Sequence, residues 1–161
     1  MTLDPPAEPD FFLRLDCTPR AKGRGRASRS GRRCPVCRLG TGSIMIRTPE
    51  DTRRLERQIE IAAQVARRRN GFELLDGPLC ARVVGIWPRV QRMPDRKHTG
   101  RQWRPSRPDW DNVAKLVLDA LSGVVYGDDA QIVHGQALTV YAADDEPAGI
   151  EVAVWRAPVF P

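Results

Sequence analysis

The sequence predicts an α+β domain, a mixed β-sheet packed by two main helices in β-α-β-α-β-β order. Three observations carry this. Two stretches, around 55–66 and 113–121, repeat apolar residues at helical spacing. Four short runs rich in Phe, Leu, Ile and Val are bounded by Gly, Pro and charged clusters. The length, 161 residues, fits one core of ordinary size, so residues 1–161 read as a single domain without internal repeats.

Phe11-Phe12-Leu13-Arg14-Leu15 is short and apolar and reads as the first strand. Residues 20–33 follow, with seven basic residues, no acidic ones and several Gly and Ser. Such a composition cannot bury a core, so a flexible basic loop is expected, within an insert over about 20–46. Thr48-Pro49-Glu50-Asp51 opens the first helix. Thr48 suits the N-cap, Pro49 the first helical position and Asp51 the capping-box spacing. Leu55, Ile59, Ala62, Ala63 and Ala66 form its apolar face, and Asn70-Gly71 stops it. Its arginines, including Arg53, Arg54 and Arg67 to Arg69, make either a solvated face or a DNA contact.

Leu79 to Trp87 alternates imperfectly and reads as the second strand, ended by Pro88. Residues 89–107 form a long polar loop with seven Arg or Lys against one Asp. Within it, Trp103 either stacks on an exposed base or packs the loop onto the core. A second helix begins near Asp109 or Asp111. Val113, Leu116, Val117, Ala120 and Leu121 give it a core-facing stripe, and Gly123 ends it. Ile132 to Tyr141 and Gly149 to Trp155 are the last two strands, joined through 142–148.

Lys and Arg total 26 against 20 Asp and Glu, a net charge of +6. The distribution says more than the total. Residues 1–108 carry 24 basic and 11 acidic side chains (+13), whereas 109–161 carry 2 and 9 (−7). This asymmetry points to a basic surface for a polyanion and a separate acidic centre. No apolar run is long enough for a membrane span, and the acidic, Pro-rich start is unlike a signal peptide, so a cytoplasmic location is expected. Cys34-Pro-Val-Cys37 is a lone CxxC. The remaining Cys17, Cys80, His98 and His134 lie at irregular spacings, so two free thiols are a simpler reading than zinc.

The acidic centre concentrates in 108–131, where Asp109, Asp111, Asp119, Asp128 and Asp129 occur. Clustered carboxylates suit a hard divalent cation. Helical spacing puts Asp111, Lys115 and Asp119 on one face, opposite the apolar stripe. Asp129 can join Asp109 and Asp111 if the following strand returns beside the helix. Each part also has a plainer reading. Asp109 or Asp111 can cap the helix, Asp111 and Lys115 can form an i,i+4 pair, and Asp128-Asp129 can belong to a polar turn.

Arg107-Pro-Asp-Trp-Asp-Asn-Val-Ala-Lys115, then Asp119-Ala-Leu121, then Asp128-Asp-Ala-Gln-Ile-Val133, closely resembles the RusA family of Holliday-junction resolvases. The basic segment from Pro19 to Arg26 and Arg47-Thr48-Pro49 agree more loosely, and the insert around Cys34–Ile46 departs from the pattern. The resemblance implies a RusA-like fold and a Mg²⁺-dependent, structure-specific endodeoxyribonuclease of bacterial or phage origin, with Mn²⁺ as an expected substitute. It implies a homodimer that makes paired, symmetric nicks across a four-way junction in recombination and repair. By position it implies Asp109, Asp111 and Asp129 as essential carboxylates and metal ligands, Asp128 as a further ligand candidate, and Lys115 as the catalytic lysine. Lys22, Arg24, Arg26, Arg101 and Arg104, in the two basic loops, are the candidate DNA-binding residues. A branched-DNA or flap nuclease, and a non-catalytic, zinc-stabilised DNA-binding protein, are the alternatives.

Overall fold

The structure, a computed structural model, describes residues 8–20, 22, 26–29, 44–90 and 97–159, with the backbone alone described at 26–29 and 44–47. Strand β1 is Phe11–Asp16, β2 is Arg26–Arg29 and β3 is Ile44–Arg47. Helix α1, Glu50–Asn70, leads to β4, Leu79–Trp87, and the two-residue β5, Gln102–Trp103. Helix α2, Trp110–Leu121, is followed by a 3-10 turn at Asp129–Gln131, then β6, Ile132–Tyr141, and β7, Gly149–Arg156.

The main sheet has the order β1-β7-β4-β6-β5. Strand β4 pairs parallel with β6 and antiparallel with β7, so the sheet is mixed, as predicted. Its imperfect alternation now has a cause. A central strand covered on both faces needs apolar side chains at nearly every position, and eight of its nine residues are buried. The α2 crossover joins the parallel pair β4 and β6. Both helices pack on one face of the sheet. Leu55, Ile59 and Ala63 of α1 meet Leu116, Val117 and Leu121 of α2, together with inward residues of β1, β4 and β7. A smaller cluster of Val84, Ile86, Val140 and Ala142 lies outside this core. Among the described residues, no helix is long and apolar enough to cross a membrane.

The two helices and four long strands keep the predicted order, with three local corrections. Residues 20–33 are not wholly loop, because Arg26–Arg29 pairs antiparallel with Ile44–Arg47. Backbone ladder bonds to the β-favouring Ile44-Met45-Ile46 stabilise strand geometry even where composition alone reads as coil. Thr48 does not cap α1. Pro49 is the N-cap, extended at ψ 144°, and no side chain bonds the first turn. The helix therefore starts one residue later than Pro at its first position would imply. The loop 89–107 contains β5, whose Gln102 and Trp103 pair with Tyr141 and Val140. The helix stops are where glycine placed them. Gly71 and Gly123 adopt φ of 65° and 75°, a region that costs other residues steric strain.

Candidate active site

Burial fixes how α2 is rotated, and rotation decides which side chains reach solvent. With Val113, Leu116, Val117, Ala120 and Leu121 buried, Asp111, Lys115 and Asp119 face outward. They line an open cavity of about 480 Å³ between α2 and the edge of β6, and Asp129 borders the same cavity. That edge is open because β5 pairs β6 only at Val140 and Tyr141. A shallower hollow of about 220 Å³ shares Trp110 and Ala137 with it and adds Trp103. Trp103 is 69 % exposed, which excludes the reading in which it packs the loop onto the core. Eight residues separate Asp111 from Asp119, about 12 Å along the helix axis. These two carboxylates thus mark different ends of the groove.

Asp109 occupies the N-cap position of α2, after a cis Arg107–Pro108 peptide, yet its side chain makes no capping bond. It does not line the cavity. Among the described residues, Asp111 accepts only a 3.4 Å contact from its neighbour Asn112. Among the described residues, Asp109, Asp111 and Asp129 make no ion pair, and the i,i+4 pair of Asp111 with Lys115 is not formed. Asp128 behaves differently. Its Oδ1 accepts from the Ala130 N–H at 2.8 Å and caps the 3-10 turn. Its neighbour Asp129 is presented to the groove instead. Tyr126 is buried beneath, donating its hydroxyl to the Leu118 carbonyl at 2.7 Å. Burial, and then the charge of Asp129, push its phenol well above the usual range.

The sequence reasoning did not single out Gln131. Its Oε1 accepts from the N–H groups of Gly127 and Asp128, at 2.8 and 3.0 Å. Its Nε2 donates to the carbonyls of Leu75 and Gly77, at 3.3 and 3.1 Å. The signal was present as a capping-box spacing, Asp128-x-x-Gln131.

The basic candidates divide. The Lys22 ammonium contacts Asp119 and lies 3.8 Å from Glu56, while its backbone N–H donates to the Asn112 carbonyl. Asp119 is therefore paired with Lys22. Arg101 is held by Glu146 and Glu151, whose hydrogen bonds raise its pKa. Arg104 stacks over Trp87, 4.2 Å from the ring centroid, and donates to the carbonyls of Ser106 and Arg107. Burial lowers its pKa. All three are engaged inside the protein. Arg24 lies outside the described residues, as does the Arg26 side chain. Cys34 and Cys37 also lie outside them, and with them the zinc question. Burial pushes the thiol of Cys17 up to about 11, so it is a poor thiolate donor at neutral pH.

A larger cavity, about 610 Å³, lies between β1 and α1. Its acidic groups are already paired, Asp51 with Arg20 and Asp16 with Arg14. The groove beside α2 is the better match to an acidic catalytic centre. Among the described residues, no three His, Cys, Asp or Glu side chains are gathered as a closed ligand set. The donor chemistry nonetheless fits Mg²⁺, which keeps several waters and binds through one or two carboxylates plus substrate phosphate.

A scan against protein families matches residues 16–155 to the family described as Endodeoxyribonuclease RusA. No curated protein matches the chain. Among the described residues, the family match covers both helices, strands β2 to β6, β7 except its last residue, only Asp16 of β1, and every carboxylate of the groove. With the groove, its unpaired carboxylates and its lysine in place, the chain belongs to the RusA endodeoxyribonuclease family.

Proposed function

We propose that this nuclease resolves four-way (Holliday) junctions by paired, symmetric nicks, as a Mg²⁺-dependent homodimer working in the cytoplasm. The observation that carries the reading is the pairing pattern around one groove. Asp111, Asp129 and Lys115 face it without ion pairs among the described residues, in a chain of net charge +6. Carboxylates left unpaired among so many arginines are available to a cation.

Asp109, Asp111 and Asp129 are the side chains that would hold Mg²⁺, with Mn²⁺ as a substitute. When bound, the metal neutralises charge on the phosphate and makes a water more acidic. Asp109 would join by turning toward the groove from the N-cap of α2. Lys115 lies one helical turn beyond Asp111 and supplies a positive charge for the scissile phosphate or the leaving oxygen. Asp119, paired with Lys22, supports the wall of the groove. The exposed Arg53, Arg54, Arg68, Arg69 and Arg107 make no ion pair among the described residues, which suits contacts to the backbones of junction arms. Two-fold symmetry would let each subunit address one strand.

The test compares cleavage of a synthetic four-way junction, a flap and a linear duplex with Mg²⁺ present. Junction cutting should be fastest and should give paired nicks near the crossover. Asp111→Asn should bind the junction while losing at least about 100-fold in cutting rate. Equal rates on flap and junction would replace resolution with a general branched-DNA activity, and undiminished cutting by Asp111→Asn would remove the site.

A further inference from the structure

The geometry points to Gln131 as the positioning residue for Asp129, the residue that holds this carboxylate at the groove for the divalent cation. The inference rests on the proposed metal reading and deepens it. Asp129 belongs to a short 3-10 turn of three residues, which has little stability of its own. Asp128 caps that turn from the preceding position, but its bond to the Ala130 N–H stays within the same short segment. Bonds from the turn to a distant part of the chain must fix it relative to α2 and the sheet.

Gln131 does this with every valence of its amide. Oε1 uses both lone pairs on the Gly127 and Asp128 N–H groups, at 2.8 and 3.0 Å. Nε2 uses both hydrogens on the Leu75 and Gly77 carbonyls, at 3.3 and 3.1 Å. One side chain thereby ties the turn bearing Asp129 to the α1–β4 connection. That connection is independently anchored. The Leu75 N–H donates to the Val125 carbonyl at 2.8 Å, and Arg67 donates to the carbonyls of Phe72 and Val124. Removing the Gln131 amide therefore loosens the turn while its anchor remains. The Gln131 side chain does not reach the reaction itself, so its effect passes through Asp129.

Gln131→Met keeps the length and removes all four bonds. Gln131→Glu keeps the two acceptors and removes the two donors, and serves if the Met variant does not fold. Amide hydrogen exchange at Gly127 and Asp128 reads the clamp without any metal. Calorimetric titration with Mn²⁺ reads its consequence without any cutting. Protection at both amides should fall in Gln131→Met, and Mn²⁺ affinity should drop about 10-fold or more, as for other groups that orient a ligand. In an Asp129→Asn background the same substitution should cost no further affinity, because the carboxylate it positions is gone. A merely structural role would lower the melting temperature and leave that non-additivity absent. Unchanged protection, unchanged Mn²⁺ affinity, or an equal affinity loss in the Asp129→Asn background would overturn the inference. If the unmodified chain binds no Mn²⁺, the metal reading fails, while the exchange measurement still decides the clamp.

Discussion

Replacing Lys22 with Met removes the ammonium that touches Asp119 and faces Glu56 at 3.8 Å. The pair is neither a surface pair nor a buried one. The Lys22 side chain is 29 % exposed and that of Asp119 24 %. Exposed pairs contribute about 0–1 kcal/mol, whereas breaking a buried pair costs about 3–5 kcal/mol. Partial exposure places Lys22→Met between them, at about 1–2 kcal/mol, because water re-solvates much of the abandoned Asp119 charge. For a domain of this size that is a fall of about 2–8 °C in melting temperature. Asp119→Asn should cost a similar amount. The double variant should cost less than the two singles together, by about 1 kcal/mol, since each single variant already abolishes the contact. Urea denaturation of the four proteins measures this. Junction binding across a salt series separates the alternative, in which Lys22 serves a DNA phosphate. There Lys22→Met would lower the log–log salt slope by about 1. Additivity within about 0.5 kcal/mol, with a reduced salt slope, would refute the pairing role and return Lys22 to the DNA surface.

Two further predictions concern Glu146 and Trp103. Glu146 is held down to about 2, first by hydrogen bonds from Arg101, against the opposing effect of burial. A depressed carboxylate stabilises the fold above its ordinary range and loses that contribution as pH falls from about 4.5 toward 2. Because Arg101 is 35 % exposed, solvent screening limits the effect to about 1–2 kcal/mol. Glu146→Gln should flatten this acid limb of the stability curve, and an unchanged limb would contradict the assignment. Trp103→Ala should alter stability by less than about 0.5 kcal/mol, since the ring is exposed, but weaken junction binding by about 1–3 kcal/mol if a base stacks there. Unchanged binding would leave Trp103 without a role in recognition.

Periodicity made both helices and all four long strands legible, because burial on one face imposes a fixed repeat on a chain. It failed where local backbone bonding outweighed composition. Strand β2 lies in an arginine- and glycine-rich stretch, and fourteen residues separate it from its partner β3. Thr48 carried good capping chemistry, but the extended Pro49 displaced the helix start beyond its reach. The same limit applied to ions. Spacing offered Lys115 as a partner for Asp111, because helix neighbours are all that spacing can see, and that pair is not formed among the described residues. Asp119 instead takes Lys22, ninety-seven residues away in sequence.

By itself the sequence determined the α+β class, the outward face of α2 with Asp111, Lys115 and Asp119, and the motif that places the chain in its family. These follow from repeats and local chemistry. Only the tertiary structure decided which carboxylates stand unpaired. Asp119 is taken by Lys22 and Asp128 by its own turn, while Asp111 and Asp129 face one groove. It also decided that Gln131 grips the turn and that Arg101 and Arg104 are held by Glu146, Glu151 and Trp87. The physical reason is the same in each case. A side chain's partner is whatever folding brings within about 3 Å, and that distance is a property of the packed chain.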